Sequence, residues 1–164
     1  MKSYQINTIN NPHKISVAPM MDCTDKHFRM IIRKISSKAL LYTEMIVAQS
    51  LIYTDKKERF LDFNSEEHPL SIQFGGDNPK MLEEAAKMAQ DWGYDEINFN
   101  VGCPSPRVCS GNFGASLMKE PTKVAKCIES LKNNCSIPVT IKHRIGLDEE
   151  ESFDKLDNIE IQNE

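Results

Sequence analysis

No run of apolar residues in this chain approaches the roughly 20 that a membrane-spanning helix needs. The N-terminal stretch MKSYQINTINNPHK is polar and lacks the apolar segment of a secretory signal, so none is read there. Cysteines at CxxC spacing are missing too. The five that occur, Cys23, Cys103, Cys109, Cys127 and Cys135, are odd in number and irregularly spaced. That argues against a disulfide framework and a zinc site, and no metal is expected. A reducing, cytoplasmic setting fits best, in which most such thiols serve as small apolar groups, Cys127 on an apolar helix face most clearly. Phosphate-binding glycine loops are also absent: no GxGxxG follows the first apolar run and no GxxxxGK[ST] occurs. A dinucleotide-binding Rossmann domain and a P-loop domain are both disfavoured.

What is present is a globular composition. With 40% apolar and 27% charged residues over 164 positions, the chain can bury one real core. Negative charge is concentrated at one end. Of 24 acidic and 20 basic residues, positions 148–164 hold eight acids and one lysine, leaving 16 acids and 19 bases in 1–147. A mildly basic body with an acidic tail is compatible with a nucleic-acid partner, although a few solvated lysines explain the same numbers more simply.

Apolar runs and helical periodicities alternate along the chain. KISVAPM (14–20) is a short apolar run closed by proline and reads as a buried strand. Thr24 is placed to cap a helix whose apolar positions Phe28, Ile31, Ile32 and Ile35 follow i, i+3, i+4, i+7. ALLYTEM (39–45), PLSIQFGG (69–76), EINFNV (96–101) and IPVTIKHRIG (137–146) read as four more strands. Asn78 and Pro79 open a helix that buries Leu82, Ala85, Ala86 and Ala89 and stops at Gly93. Pro121 opens another, with Val124, Cys127, Ile128 and Leu131 on one face. Strands alternating with helices through short connections imply a parallel sheet, and runs this apolar imply that both its faces are covered. The expected fold class is α/β, a TIM (β/α)8 barrel truncated to about five β/α units, since a full barrel takes about 250 residues. The expected organisation is a polar arm over 1–13, a partial barrel over 14–147, and an acidic tail over 148–164 that begins a sixth unit.

In such barrels the chemistry sits at the C-terminal ends of the strands. Here those ends carry Pro19, Met20, Met21 and Asp22, then Glu44, Gln73, Asn98 and Asn100 with Cys103 just beyond, and last Lys142, His143 and Arg144. In NFNVGCPSPRV (98–108) an alternating strand runs into a glycine, a thiol and two prolines, the layout of a loop that presents a reactive group. Amides, a thiol and two permanent cations around one pocket suit a flat, electron-rich or anionic ligand. Each residue also has a plainer reading. Gln73 can satisfy local backbone, Asn100 can be a turn residue, and Arg144 can be a rim charge. Lys142 lies in an otherwise apolar strand, where a buried lysine is costly unless paired, and Glu44 is a candidate partner. His143 alternates to the opposite face and reads as packing or surface. Cys109, six residues past Cys103, matches no metal spacing.

The blocks VAPMMDCTDKHFR, LYTEMIVAQSLI, HPLSIQFGGDNP, INFNVGCPSPRVCSGNFGASLM and VTIKHRIGLDEEESF together resemble the tRNA-dihydrouridine synthases. The first, second and fourth look most like the branch that reduces D-loop uridines 20 and 20a. The resemblance runs from about Lys14 to Phe153, and the NVGCPS block followed by VTIKHRIG is its most specific part. It implies an FMN-dependent enzyme with NADPH as reductant and tRNA as partner, built on a TIM barrel followed by a small helical domain. By the same resemblance Pro19, Met20 and Met21 line the flavin, Gln73 hydrogen-bonds its ring, and Lys142 sits near the ring edge. Asn100 and Arg144 hold the target uracil, and Cys103 is catalytic.

The implied reaction sends hydride from FMN to uracil C6 and a proton from Cys103 to C5, on a uridine flipped out of its stack. A proton donor must be a neutral thiol, and a free cysteine, titrating near about 8.5, is mostly neutral at pH 7. Ser116 stands where the family commonly has a cysteine. The family's last three strands, a histidine on the sixth, its FMN-phosphate loops and its helical domain have no counterpart in these 164 residues, so the chain alone is expected to bind FMN poorly. The alternative is an inactive remnant that serves as a weak RNA-binding or interaction protein.

Overall fold

In the computed structural model, which describes residues 13–147, five strands pair side by side in chain order, all of them parallel. They are β1 (Ser16–Val17), β2 (Leu40–Val47), β3 (Leu70–Gly75), β4 (Glu96–Val101) and β5 (Val139–His143). Between them run α1 (Lys26–Ile35), α2 (Ala48–Tyr53), α3 (Glu58–Leu61), α4 (Pro79–Trp92), α5 (Pro106–Cys109) and α6 (Pro121–Asn133). Sequential parallel pairing with helical crossovers is the layout of a (β/α) barrel, here five units of one. The acidic tail, and all of the polar arm except His13, lie outside the described residues.

The two long helices form where local chemistry says they should. Asn78 accepts the Lys80 N–H at the start of α4, Pro79 occupies the first turn, and Gly93 ends the helix in the left-handed region at φ 90°. Leu82, Ala85, Ala86 and Ala89 are its buried face, as the spacing predicts. On α6, Val124, Cys127, Ile128 and Leu131 are buried in the same way. Both faces join one core with Ile72 and Phe74 of β3 and Ile97 and Phe99 of β4.

Elsewhere the structure departs from the pattern. The first strand shrinks to two residues and the fifth to five. Asp25, not Thr24, caps α1, accepting the Phe28 N–H. Thr24 is buried one position earlier, with its hydroxyl against the Met20 backbone. Half of the apolar stripe assigned to α1 is on the outside: Ile31 is 62% exposed and Ile35 77%, whereas Phe28 and Ile32 are half-buried and Ile32 packs against the core. The buried residues of α1 are Arg29 and Arg33. Arg29 Nε lies 2.5 Å from Glu67 Oε2 and its Nη1 donates to the Thr24 carbonyl. Arg33 donates to the Glu67 and Pro69 carbonyls. Buried guanidinium groups paired and hydrogen-bonded in this way can replace an apolar face. A count of apolar periodicity cannot see them.

The sheet also corrects the reading of uniformly apolar strands. Alternate residues of β3, β4 and β5 divide cleanly. Ile72, Phe74, Ile97, Phe99 and Val101 pack beneath the helices, while Ser71, Gln73, Glu96, Asn98, Asn100 and Thr140 share the opposite face and bond to one another.

Candidate active site

The polar face is built by register. Ser71 pairs with Glu96, Gln73 with Asn98, Asn98 with Thr140, and Asn100 with Lys142. Parallel strands therefore stack these side chains in layers up the sheet. Gln73 Nε2 donates to Asn98 Oδ1 at 2.7 Å, and Asn98 Nδ2 donates to Thr140 Oγ1 at 2.9 Å. One layer higher, Asn100 Nδ2 donates to Gln73 Oε1 at 2.9 Å. Gln73 and Asn100 are 1% and 8% exposed, so these bonds form largely away from water. The Gln73 backbone N–H is taken by Thr43 Oγ1. A primary amide offers two N–H groups and two lone pairs. After these contacts Gln73 keeps one N–H and one lone pair, and Asn100 keeps one N–H.

Cys103 lies immediately above this layer. Asn100 Oδ1 accepts the N–H groups of both Gly102 and Cys103, at 3.2 and 3.0 Å. The Cys103 carbonyl accepts the Ala115 N–H, and the Cys109 thiol lies 3.7 Å from the same oxygen. The loop is thus pinned at both ends of one residue, and the half-buried thiol belongs to a held segment. Two glycines permit the close packing. A Cβ at Gly102 would stand 3.1 Å from the His143 backbone and 3.3 Å from Arg144 Cγ, so glycine lets the loop lie against the end of β5. Gly114, at φ 67°, would place a Cβ 2.4 Å from Val108 and 2.7 Å from the Cys103 carbonyl.

The remaining expected residues flank this unit. Pro19, Met20 and Met21 form the turn after β1. Met20 is tied to Thr24, and Asp22, at φ 57°, donates its N–H to Glu44 Oε1 at 2.5 Å. Glu44 therefore holds the turn, and the suggestion that it pairs with Lys142 is overturned. Met20 and Met21 stand exposed. Lys142 is exposed as well, on the polar face beside Asn100, so no buried-lysine cost arises; Arg144 is exposed beyond it. His143 is half-buried with Nδ1 2.9 Å from the Arg144 carbonyl. A cleft of about 180 Å³ opens between the ends of β2 and β3, lined by Val47, Gly76, Asn78, Met81 and Phe113 among others, and none of the expected site residues lines it. Among the described residues no cluster of three or more His, Cys, Asp or Glu could hold a metal.

A thiol loop pinned by a strand-four asparagine, over a strand-three glutamine and beside a strand-five lysine, can be compared with known proteins. A family model described as Dihydrouridine synthase matches residues 16–163. The chain belongs to the dihydrouridine synthase family. A tRNA-dihydrouridine(20/20a) synthase of Synechocystis is 55% identical over 142 residues, 87% of this chain and 42% of that protein. Enzymes of the same name from Vibrio cholerae and Shewanella oneidensis are 52% and 48% identical, over 87% and 92% of the chain. The chain spans less than half the length of these relatives. Its five parallel strands are accordingly a partial TIM barrel of the dihydrouridine synthase fold.

Sequence reasoning gave Asn98 no role and passed over Tyr42, Ser71, Glu96 and Thr140. The signal was the alternation itself: SxQ in β3, ExNxN in β4 and TxK in β5 set a polar residue at every second position.

Proposed function

We propose that this chain provides the flavin- and uracil-facing part of an enzyme that reduces uridine to 5,6-dihydrouridine in the D-loop of tRNA. The observation that carries the reading is the single hydrogen-bonded unit of Gln73, Asn100 and the Cys103 backbone. The names of its relatives point to the same reaction. The donor set suits a flavin ring: Gln73 retains one donor and one acceptor for a planar edge of carbonyl and N–H groups, and Lys142 sets a cation on the same face. Half-buried Pro19 and exposed Met20 and Met21 form a largely apolar turn on which such a ring can rest. FMN held by Gln73, Lys142 and this turn, with NADPH as its reductant, would supply hydride chemistry toward uracil C6.

The chain's own residues do the rest. Asn100 offers its remaining N–H to a uracil carbonyl, and Arg144 adds a permanent cation at the rim. Cys103, fixed by its backbone, holds the proton that C5 receives. Because the loop is pinned before substrate arrives, the thiol needs little reorganisation to reach its position.

The test uses a chimera in which residues 16–147 replace the matching segment of the Synechocystis relative. Cys103→Ala should leave flavin binding and NADPH oxidation intact and abolish dihydrouridine formation in tRNA, read by mass spectrometry of nucleosides. Uridine reduction at the unaltered rate would remove the proton-donor role.

A further inference from the structure

Beneath Gln73 and Asn100 the polar face ends in one carboxylate oxygen. Glu96 Oε1 lies 3.1 Å from the Tyr42 hydroxyl, 2.9 Å from Ser71 Oγ and 2.9 Å from Thr140 Oγ1. A carboxylate only accepts, so each hydroxyl must spend its single hydrogen on it. Thr140 has a second acceptor within reach, the Ile97 carbonyl, but at 3.5 Å it is much the weaker. With its hydrogen directed at Glu96, Thr140 Oγ1 can only accept from Asn98. The Asn98 amide is then oriented with Nδ2 toward Thr140 and Oδ1 toward Gln73. Gln73 must turn Nε2 to Asn98 and Oε1 to Asn100. Asn100 is left with Oδ1 facing the loop, where two backbone N–H groups require an acceptor. Each amide could flip if taken alone. Together they cannot, because the chain runs from obligatory donors at the top to an obligatory acceptor at the bottom.

We infer that Glu96, through Thr140, Asn98, Gln73 and Asn100, is a positioning residue that sets the direction of this relay and so holds the Cys103 loop. A reversed Asn100 would aim two N–H donors at the Gly102 and Cys103 N–H groups and release the loop. The same polarity saturates Asn100 Oδ1 and leaves Asn100 purely a donor toward the open face. On the reading proposed above, it then meets a base carbonyl and rejects an amino group in that place.

The experiment compares iodoacetamide labelling of Cys103 and Cys127 in the 164-residue chain, quantified by peptide mass spectrometry. Cys127 is fully buried under α6 and reports on global folding. Thr140→Val cuts the relay, Thr140→Ser restores its hydroxyl, and Ser71→Ala removes a hydrogen bond to Glu96 off the relay. Thr140→Val should speed Cys103 labelling about five-fold, equivalent to roughly 1 kcal/mol for one hydrogen bond, with Cys127 unchanged. Thr140→Ser and Ser71→Ala should leave Cys103 as it was. Where Thr140→Val also exposes Cys127, Glu96→Leu, close in size and without an acceptor for the Thr140 hydroxyl, supplies the reading, and an unchanged Cys103 there overturns the inference. Equal effects of Thr140→Val and Ser71→Ala overturn it too. So does an unaltered chain in which Cys127 reacts as fast as Cys103, since no such relay then exists in solution. Labelling is blind to the substrate, so the relay and the enzymatic reading fail separately.

Discussion

At the scale of single residues, polar side chains hold this protein together in two places that apolar counting misses. One is the Gln73–Asn98–Asn100 face. The other is the pair of Arg29 and Glu67, whose side chains are 6% and 0% exposed and meet at 2.5 Å. Glu67 Oε1 also accepts the Asn64 N–H, and its carbonyl accepts from Arg33, so Glu67 knits α1 to the segment before β3. Removing one partner of a buried pair leaves an uncompensated charge. Arg29→Met should therefore lower the unfolding free energy by about 3–5 kcal/mol in urea titration. The double variant Arg29→Met, Glu67→Leu should recover much of that loss. A single variant as stable as the parent would show that the pair contributes nothing net. The identity of the buried residues was legible, but their burial was not: Arg29 and Glu67 are 38 positions apart, and nothing local marks them as partners.

At the scale of elements, α4 and α6 are where sequence reading succeeded, since caps and apolar spacing are local properties. Their buried faces carry a titratable group. Burial, with Asp77 adding to it, pushes the Cys127 thiol from its ordinary 9.0 up to about 11. The folded state thus holds this proton more tightly than the unfolded chain does. The stabilisation is full below pH 9 and is lost as pH rises through 11. Tyr42 and Tyr94, raised by burial first, extend the same loss to higher pH. Cys127→Ala should lower stability at pH 7 and flatten its decline between pH 9 and 11, measured by urea unfolding across that range. An unchanged slope would show that this thiol is not the group being titrated. Helix α1 is the counter-example, because its outward isoleucines imitate a core stripe while arginines occupy the buried side.

At the scale of the molecule, order should fall from the centre of the sheet to its edges. Every residue of β3 is buried, as are five of six in β4, whereas β1 and β5 contain no fully buried residue. Among the described residues β1 and β5 each pair on one side only. Backbone opening follows burial and contact density. Amide hydrogen exchange should be slowest in β3 and β4, intermediate in β2 and fastest in β1 and β5. Uniform protection across all five strands would mean that the edges are covered in solution. The same gradient places Gln73 and Asn100 on the firmest strands, with Lys142 on the looser one and Arg144 just past its end.

What the sequence determined by itself was the alternation of strand and helix, the faces of α4 and α6, and the blocks around Cys103 that mark the family. These depend on neighbours within a few positions, where spacing and capping speak directly. Tertiary structure decided the rest. Gln73 meets Asn98 and Asn98 meets Thr140 only because parallel register sets residues 25 and 42 positions apart side by side. Hydrogen bonds have direction as well as reach, so the role of each amide depends on every other group along the path to Glu96. No local pattern contains that information, and the three-dimensional arrangement of five strands does.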